Sequence, residues 1–189
     1  EDFPKIMDTL DKHNVKVTFF MTGGWVTDHP DCVKELVKRG HDLGNHSEHH
    51  YDMTTISQSE KESELKSVHD RVKKLTGYEM FLFRPPYGAY DNAVIKTAYQ
   101  MNYYPIQWSV DSLDWKDYGV DSIIDTVCNH KALGPGAIIL CHNGAKVYGR
   151  SVRHHVDAIG REGVYDRADL RTYHEGELSY GCVRKTDCG

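Results

Sequence analysis

The sequence predicts an α/β fold organised on a parallel sheet or barrel. Helical and strand-like patterns alternate strictly along the chain with short links, which implies right-handed βαβ units. Five short motifs each follow directly on a brief apolar run: Gly23-Gly24, His46-Ser47-Glu48-His49-His50, Arg84-Pro85-Pro86-Tyr87-Gly88, Asp111-Ser112-Leu113-Asp114-Trp115 and Leu140-Cys141-His142. In parallel α/β proteins the strand C-terminal ends share one face, and active sites are built there. One face would then carry two histidines at metal-ligand spacing, an arginine, two carboxylates and a further histidine. Those are the parts of a metal-assisted hydrolase.

Each element has its own local reason. Phe3 to His13 places Ile6 and Leu10 on one side and reads as a helix. Val15 to Met21 is rich in β-branched and aromatic residues and reads as a strand, ended by Gly23-Gly24. Pro30 to Arg39 is a helix with Val33, Leu36 and Val37 inward and Gly40 as its stop. Asp42 to Asn45 is a short strand. Ser57-x-x-Glu60 is a capping box that opens a long charged helix running to Gly77. Its apolar stripe is sparse, which predicts a place on the outside. Met80 to Phe83 is the next strand, and Asp91 caps a helix to about Met101. Tyr103 to Val110 reads as a strand, Asp121 to Asn129 as a helix and Gly136 to Cys141 as a strand. A chain that opens on a helix suggests that a first strand is missing.

The chain has 189 residues, 39% hydrophobic and 27% charged, which suits one soluble domain with a real core. A net charge of -5 without a basic cluster argues against a nucleic-acid partner. No apolar run approaches the roughly 20 residues of a membrane span. Five cysteines stand at 32, 128, 141, 182 and 188 with no C-x-x-C pair, so neither a zinc ribbon nor a redox motif is supported. Cys32, Cys128 and Cys141 lie in helix or strand patterns and read as buried thiols.

His46 and His50 are four apart. On a helical turn that spacing puts both imidazoles on one side, within reach of one zinc or similar ion. The alternative is a solvated polar turn. Asn45 could fix a ring tautomer, and His49 reads as a surface residue. A third protein ligand is needed, and no obvious carboxylate lies nearby in sequence. In Arg84-Pro85-Pro86-Tyr87-Gly88 the prolines stiffen the backbone, so Arg84 is held at the strand end and could grip a carboxylate by two bonds. A plain turn into the next helix is the other reading. Asp111 and Asp114 precede Trp115; Asp111 reads as a capping residue, whereas Asp114 could orient a histidine and raise its pKa. Trp115 could be a platform for a sugar ring. His142 follows a buried strand, where a single histidine is more often structural; the loop after it lets the ring face the site, and with Asp114 as partner a general acid is the fitting role. The histidines at 13, 29, 41, 69, 130 and 174 show no partner spacing and are treated as surface residues. For the adjacent His154 and His155 neither reading is favoured.

Together these residues resemble the polysaccharide deacetylase family, the NodB homology domain of carbohydrate esterase family four. The family's H-[ST]-x-x-H metal motif matches His46 to His50, its R-x-P-Y motif Arg84 to Tyr87, its D-x-x-D-W motif Asp111 to Trp115, and its L-x-H motif Leu140 to His142. Val15 to Gly24 is similar to the T-F-F-x-x-G strand. The resemblance covers roughly residues 3 to 147. The phrases G-H-D-L-G-N-H-S and I-I-L-C-H-N-G-A-K look closest to clostridial-type members.

The resemblance implies a distorted (β/α) barrel, here lacking its first strand and its last. It implies a divalent metal, usually zinc, with His46 and His50 as ligands. Arg84 would orient the catalytic base, and the Tyr87 backbone N–H would help hold the oxyanion. Trp115 and Leu140 join Tyr87 at substrate-binding positions, and His142, tuned by Asp114, would protonate the leaving amine. The implied substrate is a polysaccharide bearing N-acetyl groups, such as peptidoglycan or a chitin-like polymer. The implied protein is a monomer, extracellular or in the cell envelope of a bacterium. Rivals are an O-deacetylase of acetylated xylan and a non-catalytic carbohydrate-binding relative. The family's first motif, T-F-D-D-G or a variant, precedes the first helix, and the chain begins after that place. The expectation is that the base aspartate and any aspartate ligand are absent and the chain is nearly inactive.

Residues 1–163 are expected to form this partial domain and residues 164–189 an anomalous tail without periodicity. Back-translated in chosen codons and read one base later, Tyr165 to Tyr173 gives T-I-V-P-I-S-E-L-I, which is similar to the family's final strand. A frameshifted, disordered tail in which Cys182 and Cys188 have no structural role is the expectation.

Overall fold

The structure, a computed structural model, describes residues 3–142; the expectations for the tail lie outside the described residues. In chain order the elements are α1 (Phe3–Lys12), β1 (Thr18–Met21), α2 (Gly23–Asp28), α3 (Pro30–Lys38), β2 (Asp42–Asn45) and α4 (Gln58–Thr76). They continue with β3 (Leu82–Phe83), α5 (Asn92–Gln100), β4 (Tyr104–Pro105), β5 (Val110–Asp111), α6 (Val120–Cys128) and β6 (Ile139–Leu140). Short 3-10 turns stand at Pro86–Gly88 and Asp114–Lys116. The chain forms two compact units, one of residues 16–107 and one built from the segments before and after it.

In the unit of residues 16–107, β1 to β4 form one parallel sheet in sequential order. Met21 lies opposite Asn45, Asn45 opposite Phe83, and Phe83 opposite Pro105. The register therefore brings all four strand ends level, and the residues that follow them emerge side by side. Phe20 lies opposite Gly44, whose added Cβ would stand 2.4 Å from the Phe20 ring. Glycine is needed here for a close approach, not for a turn. The core is built from Leu43, Leu82 and Phe83 on the strands and from Leu36, Leu65, Val68, Val72, Val94 and Ala98 on the helices, all buried.

Three expectations change in this unit. Gly23-Gly24 does not simply end β1. It opens α2, because the Thr22 side chain accepts the Trp25 N–H at 3.3 Å and caps a new helix. Helix α4 begins at the expected capping box on Ser57 and ends at Gly77 with φ 75°. It is more deeply packed than its sparse stripe implied: Lys61, Glu64, Leu65, Val68 and Val72 are buried, and the helix packs on α2, α3, α5 and β2. The two charged members have partners, Lys61 donating to the Ile56 carbonyl and Glu64 accepting from His49. Finally, His41 is a core residue at 2% exposure, edge-on to Phe19, and not a surface histidine.

In the other unit, β5 and β6 pair in parallel, Val110 opposite Ile139 and Asp111 opposite Leu140. Val110 and Val127 form a small core with Ala137 and Ile139 packed on it. Helix α1 buries Ile6, Met7 and Leu10. The expected strand over 103–110 is divided: Tyr104–Pro105 belongs to the four-stranded sheet and Val110–Asp111 pairs with β6. Its two ends serve different partners, since Tyr104 N–H donates to the Phe81 carbonyl and Val110 N–H to the Ile138 carbonyl. Pro105, which has no N–H, sits at the last ladder position of β4.

Candidate active site

Residues 46–50 leave β2 as an irregular bend and not as a helical turn. Ser47 and His50 adopt left-handed backbone at φ 67° and 59°. The bend still brings the two imidazoles together, with ring centroids 4.8 Å apart and planes at 75°. His46 N–H donates to the Met21 carbonyl at 3.0 Å and Gly23 N–H to the Ser47 carbonyl at 3.1 Å, tying the bend to the end of β1. His50 N–H donates to Ser47 Oγ at 3.0 Å.

His46 Nδ1 lies 2.7 Å from the Arg84 carbonyl. A carbonyl can only accept, so Nδ1 carries the hydrogen and Nε2 the lone pair. The tautomer expected from Asn45 is thus set by Arg84 instead. Asn45 accepts the Ser47 N–H on Oδ1 at 2.9 Å and so fixes the backbone of the bend, not a ring.

Three side chains that sequence reasoning passed over also hold this bend. Arg71 on α4 grips Glu48 with two bonds of 2.9 and 2.8 Å and donates to the Gly23 carbonyl at 2.9 Å. The Glu48 carboxylate fills the space in which a Cβ on Gly23 would stand, 2.0 Å from Oε2. Glu64 accepts the His49 N–H at 2.8 Å and meets His49 Nδ1 at 2.6 Å. That carboxylate beside it raises the His49 pKa above its ordinary value, and the His49 ring stacks on Tyr51. Tyr103 bonds Asn45 at 3.0 Å. The available signal was a pair of charged residues, Glu64 and Arg71, seven apart on the inner side of an otherwise polar helix.

Arg84 is buried at 8% exposure, with its guanidinium carbon 4.1 Å from the Phe20 ring centroid. Its Nε donates to the Ile106 carbonyl at 3.4 Å and its backbone N–H to the Asn45 carbonyl at 3.0 Å. The arginine is held flat on an aromatic face, a cation–π contact that leaves its fork in a fixed plane. Tyr87 lies in the 3-10 turn at φ 59°, a strained conformation for a tyrosine. Its ring is 72% exposed and meets His50 edge-on at 4.7 Å.

In the unit that holds β5 and β6, Asp114 and His142 meet. His142 N–H donates to Asp114 Oδ2 at 2.6 Å, and His142 Nδ1 lies 2.7 Å from Asp114 Oδ1. Asp114 is buried at 1% exposure, while the His142 side chain is 47% exposed. A carboxylate accepts, so Nδ1 donates and Nε2 is the nitrogen turned to other chemistry. Asp111 closes a local turn, accepting the Leu113 N–H at 2.9 Å. Trp115 is 57% exposed with Lys116 Nζ 5.2 Å from its ring centroid. Leu140 is buried at 9% exposure in β6.

The structure therefore assembles His46, His50, Arg84 and Tyr87 in one unit, and Asp114, Trp115, Leu140 and His142 in the other. The two histidines fit two positions of a divalent ion's donor set: both are imidazoles, they are adjacent, and the His46 tautomer is locked by a backbone carbonyl in the manner of ligating histidines. Among the described residues, no group of three or more His, Cys, Asp or Glu is placed to share an ion.

The family model for polysaccharide deacetylases matches residues 1–106. The chain is 40% identical over 147 residues to the peptidoglycan-N-acetylmuramic acid deacetylase of Bacillus subtilis, covering 74% of this chain and 54% of that protein. It is 36% identical over 140 residues to the peptidoglycan-N-acetylglucosamine deacetylase of Bacillus cereus, covering 74% of this chain and 50% of that protein. The chain spans about half the length of these relatives. Among solved structures, a carbohydrate esterase family four pseudoenzyme of Bacillus anthracis superposes with TM-score 0.80 at 30% identity, over 86% of this chain and 57% of that one. A family four carbohydrate esterase of Streptomyces lividans shares the fold with TM-score 0.83 at 23% identity, over 98% of this chain and 92% of that one. By its motifs, its parallel α/β architecture and these matches, the chain belongs to the polysaccharide deacetylase family.

Proposed function

We propose that this chain carries most of the catalytic domain of a metal-dependent N-deacetylase acting on an N-acetylglucosamine polymer of the bacterial cell wall, or a chitin-like one. The observation that supports this best is the pairing of two adjacent imidazoles, one with a locked tautomer, with a separate buried aspartate–histidine couple. His46 and His50 would hold a divalent ion, zinc for choice. Such an ion, when bound, supplies Lewis-acid chemistry toward water and the acetyl carbonyl.

The remaining roles belong to the chain's own groups. Arg84, held on Phe20, orients the carboxylate that serves as base. The Tyr87 N–H, set by a left-handed backbone, is offered to the developing oxyanion. His142 delivers a proton from Nε2 to the leaving amine. Asp114 holds the ring by Nδ1 and so leaves Nε2 for the proton transfer. By the family resemblance, Tyr87 in one unit and Trp115 and Leu140 in the other are assigned to contact with the sugar. The substrate would place the protein outside the cytoplasm, in the cell envelope, acting as a monomer. The clostridial-type placement rests on the two phrases around His46 and His142.

Among the described residues no third His, Cys, Asp or Glu is placed to share an ion with His46 and His50. A second reading, a carbohydrate-binding relative without catalysis, is supported by the missing third donor among the described residues and by the Bacillus anthracis pseudoenzyme. Acetate release from N-acetylglucosamine oligomers, peptidoglycan and acetylated xylan, by a protein that contains this chain and its flanking sequence, separates the three. Release from the first two with added zinc supports N-deacetylation. Release from xylan alone supports O-deacetylation, and oligomer binding without release supports the pseudoenzyme.

A further inference from the structure

Behind the bend that carries His46 and His50 lies a line of hydrogen bonds leading to the protein surface. Asn45 is fully buried at 0% exposure. Its amide cannot be flipped, because Ser47 offers it only an N–H and Leu65 only a carbonyl. Its Nδ2 therefore donates to Leu65 at 2.8 Å and to the Tyr103 hydroxyl at 3.0 Å. Tyr103 is 2% exposed, and burial pushes its phenol well above the ordinary pKa, so it stays protonated. Its oxygen accepts from Asn45, which leaves its hydrogen for His69 Nδ1 at 2.7 Å. His69 Nδ1 is then the lone-pair nitrogen, and Nε2 carries the hydrogen that reaches Glu79 Oε2 at 2.9 Å. Glu79 is in turn paired with Lys73. With one hydrogen on the His69 ring, each bond from Asn45 outward to Glu79 runs in a single direction, and together they make a polarised chain.

We propose that Tyr103 and His69 are positioning residues for the His46–His50 pair, acting through Asn45. The Tyr103 oxygen gives the second Asn45 donor a fixed target, so the amide cannot rotate away from the Ser47 N–H. Ser47 is fully buried in left-handed backbone, and its N–H has Asn45 as the acceptor that holds this conformation. Loss of the Tyr103 hydroxyl loosens the amide, then Ser47, then the spacing of the two imidazoles. His69 sets the direction of the Tyr103 hydroxyl, which explains a half-buried histidine with no partner spacing in the sequence. The functional weight of the proposal rests on the reading of His46 and His50 as a metal-holding pair; the bond chain itself does not.

The test uses the full chain, nitrogen-detected NMR of its histidines and zinc titration. In the unsubstituted chain His69 should be the neutral Nε2–H tautomer. Tyr103→Phe keeps the ring and removes the hydroxyl; it should shift the imidazole signals of His46 and His50 and weaken zinc binding about tenfold. His69→Leu should do the same. His69→Asn, which places an amide oxygen where Nδ1 stands, should restore both properties, as no general loss of packing would. An Nδ1–H tautomer of His69 in the unsubstituted chain would overturn the proposal, and that measurement decides even where a variant does not fold. Tyr103→Phe with unchanged signals and affinity would overturn it too, as would His69→Asn behaving like His69→Leu. If zinc leaves the His46 and His50 signals of the unsubstituted chain unmoved, the metal reading fails, while the shifts caused by Tyr103→Phe still decide the positioning.

Discussion

At the scale of single residues, chemistry is set by which atom of each side chain is already committed. His46 spends its Nδ1 hydrogen on the Arg84 carbonyl and His142 spends its own on Asp114, so in both rings Nε2 faces the remaining chemistry. His46→Ala or His50→Ala should abolish stoichiometric zinc binding in a calorimetric titration while the fold persists by circular dichroism. His142→Ala, made in an active protein that contains this chain, should lower the rate by about 10²–10⁴ and leave zinc affinity unchanged. Zinc affinity falling together with the rate would give His142 a ligand role instead. That His46 lies beside His50 and His142 beside Asp114 was legible from motif spacing. The reading of His41 and His69 as surface residues was wrong because spacing carries no record of long-range partners. His69 meets Tyr103 across 34 positions, and His41 accepts the Val17 N–H across 24.

At the scale of elements, caps and glycines mark the ends, and most boundaries followed from them. Ser57 and Glu60 bond reciprocally at the start of α4, with Glu60 N–H to Ser57 Oγ at 3.3 Å and Ser57 N–H to Glu60 Oε2 at 2.7 Å. Ser57→Ala should cost about 1 kcal/mol in urea unfolding. Gly44 is a different case: a Cβ there would stand 2.4 Å from the Phe20 ring, which also carries the Arg84 guanidinium. Gly44→Ala should cost roughly 1–3 kcal/mol by overpacking. It should also displace Phe20, read as a change in the aromatic signals of that ring; an unaltered Phe20 signal would place the Arg84 support elsewhere. Helix α2 was missed because its glycines read as a stop, whereas the Thr22 cap makes them a beginning. The depth of α4 was missed because its inner face uses Lys61, Glu64 and Arg71 where a stripe of leucines would be looked for.

At the scale of the whole molecule, the prediction concerns activity: a protein that contains this chain should release acetate from N-acetylglucosamine oligomers with added zinc, and His46→Ala should abolish that release. Release unchanged by His46→Ala would remove the metal-holding role from that residue. The sequence by itself determined most of the elements, the parallel pairing, the four motifs and the family, because periodicity, caps and motif spacing are local properties that survive without a partner. The tertiary structure alone decided the tautomer of His46, the seat of Arg84 on Phe20, the partition of residues 103–110 between two sheets and the support of the His46–His50 bend by α4. Each of these depends on which strand ends the register brings level, and a hydrogen bond such as that from His46 to Arg84, 38 positions apart, exists only once β2 and β3 have paired.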